Sequence, residues 1–498
     1  MYSKVRTFFT SPPIISVECK ITKGLPSFNI IGLPSKTVQE SRDRVKGALN
    51  TLGIDLPNKK ITVNINPVDT VKTGNYFDLP IAVSILKALG VIDLSEDLII
   101  AGELSLNGQV LAVRGILTYL LSIDTQNSLI LPSANKQEVL VLKKHSNFMV
   151  KFIGSLAEIF DIEKKDYCQE LASDSQEINL GEYRELFESI RGQEMAKYCI
   201  AISAAGKHNI LMVGPPGTGK SILSKAALCL FQPPNDQEFI EIARIYNQAG
   251  YDYEYWKRFR KVRPYRNPHH TSSYASIIGG HKSIGEITLA HKGILFLDEF
   301  PEFRRDVIEG LREPMENRKV VISRADYKVE YPSDFVLIAA MNPCPCGYYK
   351  TKIKACSCYP SNISKYWTKI SGPILDRFDI FIEVGNIKFE QVVSQKTNNF
   401  QTYLSMVENS YIARRKRNQQ KFNSELSIEE VNEFCFNTLT DKAKQFLQNI
   451  YDSKKLSVRK LHKILKISRT IADMNLEEMI NDLAVANAFR ITINRYLE

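Results

Sequence analysis

Eight consecutive residues, Gly214, Pro215, Pro216, Gly217, Thr218, Gly219, Lys220 and Ser221, match the pattern G-x-x-x-x-G-K-S. The glycines let backbone N–H groups close around phosphate oxygens. Lys220 is long enough to reach the β- and γ-phosphates of a nucleotide, and Ser221 offers a hydroxyl to Mg²⁺. An apolar run, Ile210 to Val213, precedes the loop, and a helical run, Ile222 to Phe231, follows it. The N-terminus of that helix adds partial positive charge. A second apolar run, Ile294 to Leu297, ends in Asp298 and Glu299. Asp298 is suited to the Mg²⁺ shell and Glu299 to polarising an attacking water. The expected ligands are ATP and Mg²⁺.

A second constellation is sulfur-rich. Cys344 and Cys346 form one C-x-C pair, Cys356 and Cys358 another, with nine residues between the pairs. Four thiolates suit tetrahedral zinc, and Gly347 eases the tight turn. C-x-C is narrower than the usual spacing, so four reduced thiols in a loop is the competing reading. Zinc held by four thiolates keeps no open position, so its role would be structural. The other five cysteines, Cys19, Cys168, Cys199, Cys229 and Cys435, are expected in cores as small apolar groups.

Other stretches read as the elements that must carry these groups. Ile210 to Val213, Ile294 to Leu297, Phe335 to Ala340 and Ile380 to Ile382 are continuous apolar runs, the mark of parallel strands covered on both faces. The run Arg318 to Tyr331 reads as a β-hairpin turning near Ala325 and Asp326. Upstream, Ile61 to Asn66 alternates apolar and polar residues, Leu98 to Ala101 and Leu129 to Leu131 read as further strands, and Asp78 is placed to cap a helix with Leu79, Val83 and Leu86 on one face. The predicted organisation is an α/β domain over residues 1–165, a polar linker over 166–182, a nucleotide-binding α/β core over 183–395 and a helical region over 396–498. The basic run Arg414 to Arg417 is read as a solvated helix face.

A chain of 498 residues exceeds one core. With 44% hydrophobic and 24% charged residues it reads as a folded protein rather than a disordered one. No apolar run approaches the roughly 18 residues that span a bilayer, and no signal peptide is read at the N-terminus, so no membrane partner and a cytoplasmic location are expected. The net charge of +10 is compatible with nucleic acid.

Longer motifs carry a resemblance. Arg263 to Thr271, Gly285 to His291, Gly293 to Phe300, Met341 to Gly347 and Ser371 to Asp379 are similar to the magnesium-chelatase-like AAA+ ATPases, ComM/YifB subfamily. The resemblance implies a P-loop AAA+ parallel sheet with helices on both faces and a C-terminal helical lid of the magnesium-chelatase type. It implies that Asn342 orients the water, that Arg377 is an arginine finger given to a neighbouring subunit, and that Arg459 is a second sensor touching the γ-phosphate. A finger in trans implies a ring, commonly a homohexamer. Related helicases point the hairpin into a central pore, which makes Arg324 and Lys328 the expected DNA-phosphate contacts. Gly102 to Leu111 and Lys72 to Gly74 resemble the Lon-type peptidase domain, but the positions of its serine and lysine fall near Tyr76 and Leu117, which cannot do that chemistry. The implied function is an ATP-driven DNA translocase, helicase-like, acting on branched DNA in recombination or transformation. A chelatase-type motor remodelling a protein partner is the alternative, and an ATP-dependent protease is a weaker one. His269 and His270 belong to the motif, with no role assigned by their spacing.

Overall fold

The alternation of Ile61, Val63 and Ile65 with polar residues makes a strand whose inward side chains are buried. It belongs to the first of two compact units, Met1–Gln176 with Ala243–Lys257; the second is Glu177–Ile242 with Arg258–Glu498. The structure is a computed structural model that describes residues 1–9, 13–68, 70–72, 74–123, 126–143, 146–168, 181–280, 283–324, 327–351, 353–386, 399–494 and 496, with only the backbone of 324, 327 and 328. The expected linker lies mostly outside the described residues.

In the first unit, strands β1 (Tyr2–Phe8), β2 (Ile14–Thr22), β3 (Ser27–Ile31), β4 (Lys60–Asn66), β5 (Ile99–Ile100), β6 (Ser128–Pro132) and β7 (Met149–Ile153) form a seven-stranded sheet in the order β3-β4-β2-β1-β5-β6-β7. Helix α1 (Lys36–Thr51) starts at Ser35, whose hydroxyl accepts from the Val38 N–H, and buries Val38, Val45, Ala48 and Leu49 at helical spacing. Helix α2 (Asp78–Ala88) is buried along nearly its whole circumference, not only at Leu79, Val83 and Leu86. Asp78 does not cap it. Its fully buried carboxylate receives Arg44 Nε at 2.6 Å and Nη2 at 3.0 Å, and the Leu104 N–H at 3.2 Å. A buried charge with a bidentate guanidinium within reach satisfies that partner rather than its own backbone.

In the second unit, β8 (Ile210–Val213), β9 (Tyr265–Arg266), β10 (Ile294–Leu297), β13 (Val336–Met341) and β14 (Ile380–Glu383) form a parallel sheet in the order β9-β10-β13-β8-β14. Between β10 and β13 the chain makes an antiparallel hairpin, β11 (Lys319–Arg324) and β12 (Tyr327–Pro332). Alternate residues of each parallel strand serve different cores. Ile210, Met212, Phe296 and Ile338 face one, and Leu211, Val213, Leu297 and Leu337 the other. Continuous apolar strands follow from this double burial. The first core takes in α3 (Glu194–Gly206), α4 (Lys220–Ala226) and the C-terminal helices α5 (Phe400–Lys416), α6 (Asp441–Lys454), α7 (Val458–Met474) and α8 (Asp482–Thr492). Thr440, Ser457 and Asn481 cap α6, α7 and α8 with side-chain oxygens.

The four apolar runs are strands within a residue or so of expectation, and the two-residue β9 was not foreseen. Helix α4 ends at Ala226, sooner than the run to Phe231 predicted, and passes into a 3₁₀ turn. The basic run at the end of α5 is solvated only in part: Arg415 and Lys416 are exposed, whereas Arg414 and Arg417 are not. Arg414 is buried over the Phe422 ring at 3.8 Å, and Arg417 holds Asp473 at 2.6 and 2.8 Å. Cys19, Cys199, Cys229 and Cys435 are buried, but Cys168 only half so. Among the described residues no helix is long and apolar enough to cross a membrane.

Replacing Arg44 with alanine leaves the Asp78 carboxylate buried and unpaired. The expected loss is about 3 kcal/mol, read as a lowered midpoint in denaturant unfolding of the full chain. A midpoint unchanged within error would show that Asp78 is satisfied without Arg44.

Candidate nucleotide site

The loop after β8 is shaped by three glycines with different reasons. A Cβ on Gly214 would stand 2.1 Å from the Val384 carbonyl oxygen, so no side chain fits. Gly217 and Gly219 have open space around them but φ of +77° and +85°, the left-handed region that L side chains avoid. Thr218 Oγ1 ties the loop to the Pro215 carbonyl at 2.9 Å. The turn ends in α4, whose first two residues are Lys220 and Ser221.

Lys220 is buried, and its Nζ donates to the carbonyls of Gly214 and Pro215 at 2.7 and 2.9 Å and to Asn342 Oδ1 at 3.3 Å. Burial pushes its ammonium pKa down, against the opposing pull of Asp298 and Glu299. Ser221 Oγ donates to Asp298 Oδ2 at 2.5 Å, while Asp298 Oδ1 accepts the Glu299 N–H at 2.9 Å. A hydroxyl and a carboxylate this close are hard oxygen donors of the kind that Mg²⁺ takes. A cavity of about 370 Å³ is lined by Pro216 to Ile222, Asp298, Glu299, Met341 and Asn342. The expected phosphate loop, the acidic pair and Asn342 are therefore brought together.

Arg377 and Arg459 are placed elsewhere. They line a different cavity of about 320 Å³, together with Lys207, Arg318, Lys463 and Lys466 on the basic side and Glu316, Asp334 and Glu425 on the acidic side. Arg377 Nη2 holds Glu316 at 2.5 Å and its Nη1 donates to the Pro373 carbonyl at 2.6 Å. The base of the hairpin reaches this cavity: Arg318 Nη1 holds Glu425 at 2.9 Å, and Asp334 meets Lys292 at 2.8 Å and Lys207 at 3.4 Å. Burial works to raise the Asp334 pKa, but Lys207 and Lys292 outweigh it and hold the carboxyl well below the usual range. The Arg324 and Lys328 side chains and the turn at Ala325 and Asp326 lie outside the described residues.

The cysteines converge as their spacing suggested. All four Sγ atoms lie within 4.8 Å of one another, with Cys344 at 3.3 Å from Cys346 and 3.7 Å from Cys356, and Cys346 to Cys356 at 3.5 Å. Bonds of about 2.3 Å to a tetrahedral zinc would set sulfurs about 3.8 Å apart, so the donor set fits that ion. Burial works against ionisation of Cys346, but backbone N–H groups of Tyr348 and Ser357 outweigh it and bring the thiol down to about 5. Gly347, at φ +85°, turns the loop so tightly onto the phosphate loop that a Cβ there would lie 2.7 Å from Pro216 Cδ.

Two features escaped the sequence reading. Strand β9 pairs with β10, and its Tyr265 hydroxyl meets Ser224 of α4 at 2.8 Å. Beyond it, His270 Nδ1 lies 3.1 Å from Glu299 Oε2. Two residues of β9 are too few to show a period, and the histidine pair signals nothing until the strand register is known. In the first unit, Tyr76 is buried and stacked on Phe77, with ring centroids 4.4 Å apart, and Leu117 is fully buried.

Family models match three stretches: subunit ChlI of Mg-chelatase at residues 17–135, magnesium chelatase subunit ChlI at 186–392, and its C-terminal part at 400–491. The competence protein ComM of Haemophilus influenzae is 36% identical over 487 residues, 96% of this chain and 94% of that one. YifB of Salmonella typhimurium is 35% identical, covering 94% of this chain and 92% of its own length. The maternal DNA replication licensing factor mcm6 of Xenopus tropicalis is 23% identical over 42% of this chain and 25% of its own. With matches spanning both units and a phosphate loop on a five-stranded parallel sheet, the chain belongs to the magnesium-chelatase-like AAA+ family, in its ComM/YifB branch.

Proposed function

We propose that the protein is a Mg²⁺-dependent ATPase that drives a ring along DNA. The observation that carries the ATPase reading is the single cavity shared by Lys220, Ser221, Asp298, Glu299 and Asn342. In this reading Lys220 leaves its loop carbonyls for the β- and γ-phosphates. Ser221 and Asp298 hold Mg²⁺, which neutralises charge on the phosphate oxygens. Asn342 orients a water and Glu299 accepts its proton. The water oxygen bonds to the γ-phosphorus, and the bond to the β–γ bridging oxygen breaks with its electrons on ADP.

Arg377 and Arg459 serve a neighbour's nucleotide. The support is that neither lines the cavity of its own phosphate loop. A guanidinium offered across a head-to-tail interface closes a ring, with a hexamer as the expected number. Arg377→Ala and Lys220→Ala are each expected to be inactive alone. Mixed in equal amounts, about one quarter of interfaces pair an intact loop with an intact finger, and ATPase activity should recover towards that share. No recovery in reassembled mixtures would return Arg377 to a role within its own chain.

The DNA reading rests on the resemblance of the hairpin to pore hairpins, on the net charge of +10 and on relatives named a competence protein and a DNA replication licensing factor. Arg324 and Lys328 are its proposed phosphate contacts, and branched DNA its proposed substrate. Steady-state ATPase is measured without DNA and with single-stranded, duplex and four-way-junction DNA. Stimulation that fades between about 50 and 200 mM salt is expected, with the junction the strongest. ATPase activity with no response to any DNA would favour a chelatase-type motor acting on a protein partner.

The cysteine set is proposed to hold structural zinc, supported by the Sγ spacing. About one zinc per chain is expected by atomic emission, with loss of that zinc in Cys356→Ser and Cys358→Ser. A full-length preparation with free thiols and no zinc would leave the loop as reduced cysteines.

A further inference from the structure

Three consecutive carbonyls around Arg377 are each taken by a side chain from outside their own segment. Arg377 follows a short helical turn, Gly372–Leu375. The N–H groups of Asp376, Arg377 and Phe378 donate back to the carbonyls of Gly372, Ile374 and Leu375 at 2.8, 2.9 and 3.2 Å. The carbonyls that end a helical turn have no such partner within it. Here Asn209 Nδ2 donates to the Arg377 carbonyl at 3.1 Å. Lys463 Nζ donates to the carbonyls on either side, of Asp376 and of Phe378, the latter at 2.8 Å. An ammonium has three donors and no acceptor, so it can bridge two carbonyls at once.

The two donors belong to different parts of the fold. Asn209 stands just before β8. Its backbone N–H meets Asp379 Oδ2 at 3.0 Å and its amide oxygen accepts the Leu337 N–H at 2.8 Å, so it is bound into the foot of the sheet. Lys463 comes from α7, four residues after Arg459, and residues four apart share one face of a helix. That helix is held behind Lys463. Lys466 Nζ donates to the Ser424 carbonyl at 3.0 Å, Thr470 Oγ1 meets His208 Nε2 at 2.8 Å, and Asn423 Nδ2 donates to Asp473 Oδ2 at 2.9 Å. Lys463 therefore reaches the Arg377 segment from a fixed place, on the helix that also carries Arg459.

The Arg377 side chain is held less firmly than its backbone. Its partner carboxylate, on Glu316, is 64% exposed, and exposed ion pairs contribute little. The guanidinium can leave Glu316 at little cost, whereas the chain that carries it is clamped at three successive carbonyls. We propose that Lys463 is a positioning residue: it holds the backbone of Arg377 at a set place relative to Arg459, so that both guanidiniums arrive together at a neighbour's phosphates. This rests on the reading of the two arginines as serving a neighbouring subunit's nucleotide. A reacting group displaced by about 1 Å loses on the order of 100-fold in rate. Lys463 does not line the cavity of its own phosphate loop, so its loss leaves nucleotide binding there intact.

The test uses the full-length protein and ATP hydrolysis by wild type, Lys463→Met and Lys463→Arg. Lys463→Met is also mixed in equal amounts with Lys220→Ala and, separately, with Arg377→Ala, and the mixture of Arg377→Ala with Lys220→Ala is the control. Methionine keeps an apolar stem and removes the donors, whereas arginine keeps the charge and the donors. In Lys463→Met alone, kcat is expected to fall about 10- to 100-fold with KM within about twofold of wild type. Lys463→Arg should be several-fold faster than Lys463→Met. Mixed with Lys220→Ala, Lys463→Met should recover towards about one quarter of wild-type activity, because an intact loop then meets an intact Lys463 across an interface. Mixed with Arg377→Ala it should not recover, since every interface then lacks one or the other on the same side.

An unchanged kcat in Lys463→Met overturns the proposal while the neighbour reading stands. So does a missing recovery with Lys220→Ala when the control recovers, a recovery with Arg377→Ala, or an arginine variant no faster than methionine. A control that does not recover, or a wild type without ATPase activity, overturns the neighbour reading and this inference together. Should Lys463→Met fail to fold, judged by denaturant unfolding, Lys463→Gln replaces it under the same outcomes. Loss of fold in that variant too assigns Lys463 to packing and overturns the proposal.

Discussion

Parallel pairing of β8, β10 and β13 is the constraint on which the site depends. Val213 pairs with Met341, and Leu297 with Ala339, so the three strands end at one edge of the sheet. The residues just past those ends are Gly214, Asp298 and Asn342. In an open parallel sheet that edge is where a ligand finds converging loops. A slip of one residue would turn every inward side chain to the opposite core. The two apolar cores therefore fix the relative heights of a phosphate loop, an acidic pair and a polar amide that have no sequence proximity.

The two insertions lie at opposite edges of that sheet. The hairpin lies between β10 and β13, and its base meets the edge where the parallel strands begin: Asp334, just before β13, holds Lys292 just before β10 and Lys207 just before β8. Its base is clamped by opposite charges: Arg318 on Glu425 at one root, Asp334 on Lys292 at the other. Partly buried pairs of this kind give directional restraint more than net stability. The cysteine loop follows Asn342 directly, and the Trp367 indole N–H donates to the Pro343 carbonyl at 3.0 Å. With Gly347 turned onto Pro216, whatever fixes the four sulfurs also fixes the ground on which the phosphate loop rests.

How much of this was legible in the sequence depended on the length scale of each signal. The phosphate loop, the Asp298 and Glu299 pair and the sulfur cluster are local patterns, and the structure gathers each as its spacing implied. Apolar runs marked four strands because double burial leaves an unbroken run. Asp78 was misread because capping is judged from neighbours in sequence, whereas its partner Arg44 sits 34 residues away. Arg414 and Arg417 were misread for the same reason: Arg415 and Lys416 are exposed as expected, but an aromatic face and a buried carboxylate from elsewhere in the fold take the other two. Strand β9 was invisible at two residues, and with it the register that gives His270 a neighbour.

Glu299 shows why that neighbour has physical weight. Its backbone sits at φ +51°, a conformation that a residue with a Cβ adopts at a cost of about 1–2 kcal/mol. The Asp298 carboxylate holds the turn by accepting the Glu299 N–H, so the acid assigned to the metal also sets the backbone of the acid assigned to the water. That arrangement fixes where the Glu299 side chain begins but not where its carboxylate ends, since three side-chain torsions and a half-exposed terminus remain. Strain at a backbone persists only where surrounding contacts over-determine it. At the far end of the side chain, His270 Nδ1 lies 3.1 Å from Glu299 Oε2. The strained turn and the histidine contact thus act on one carboxylate from its two ends.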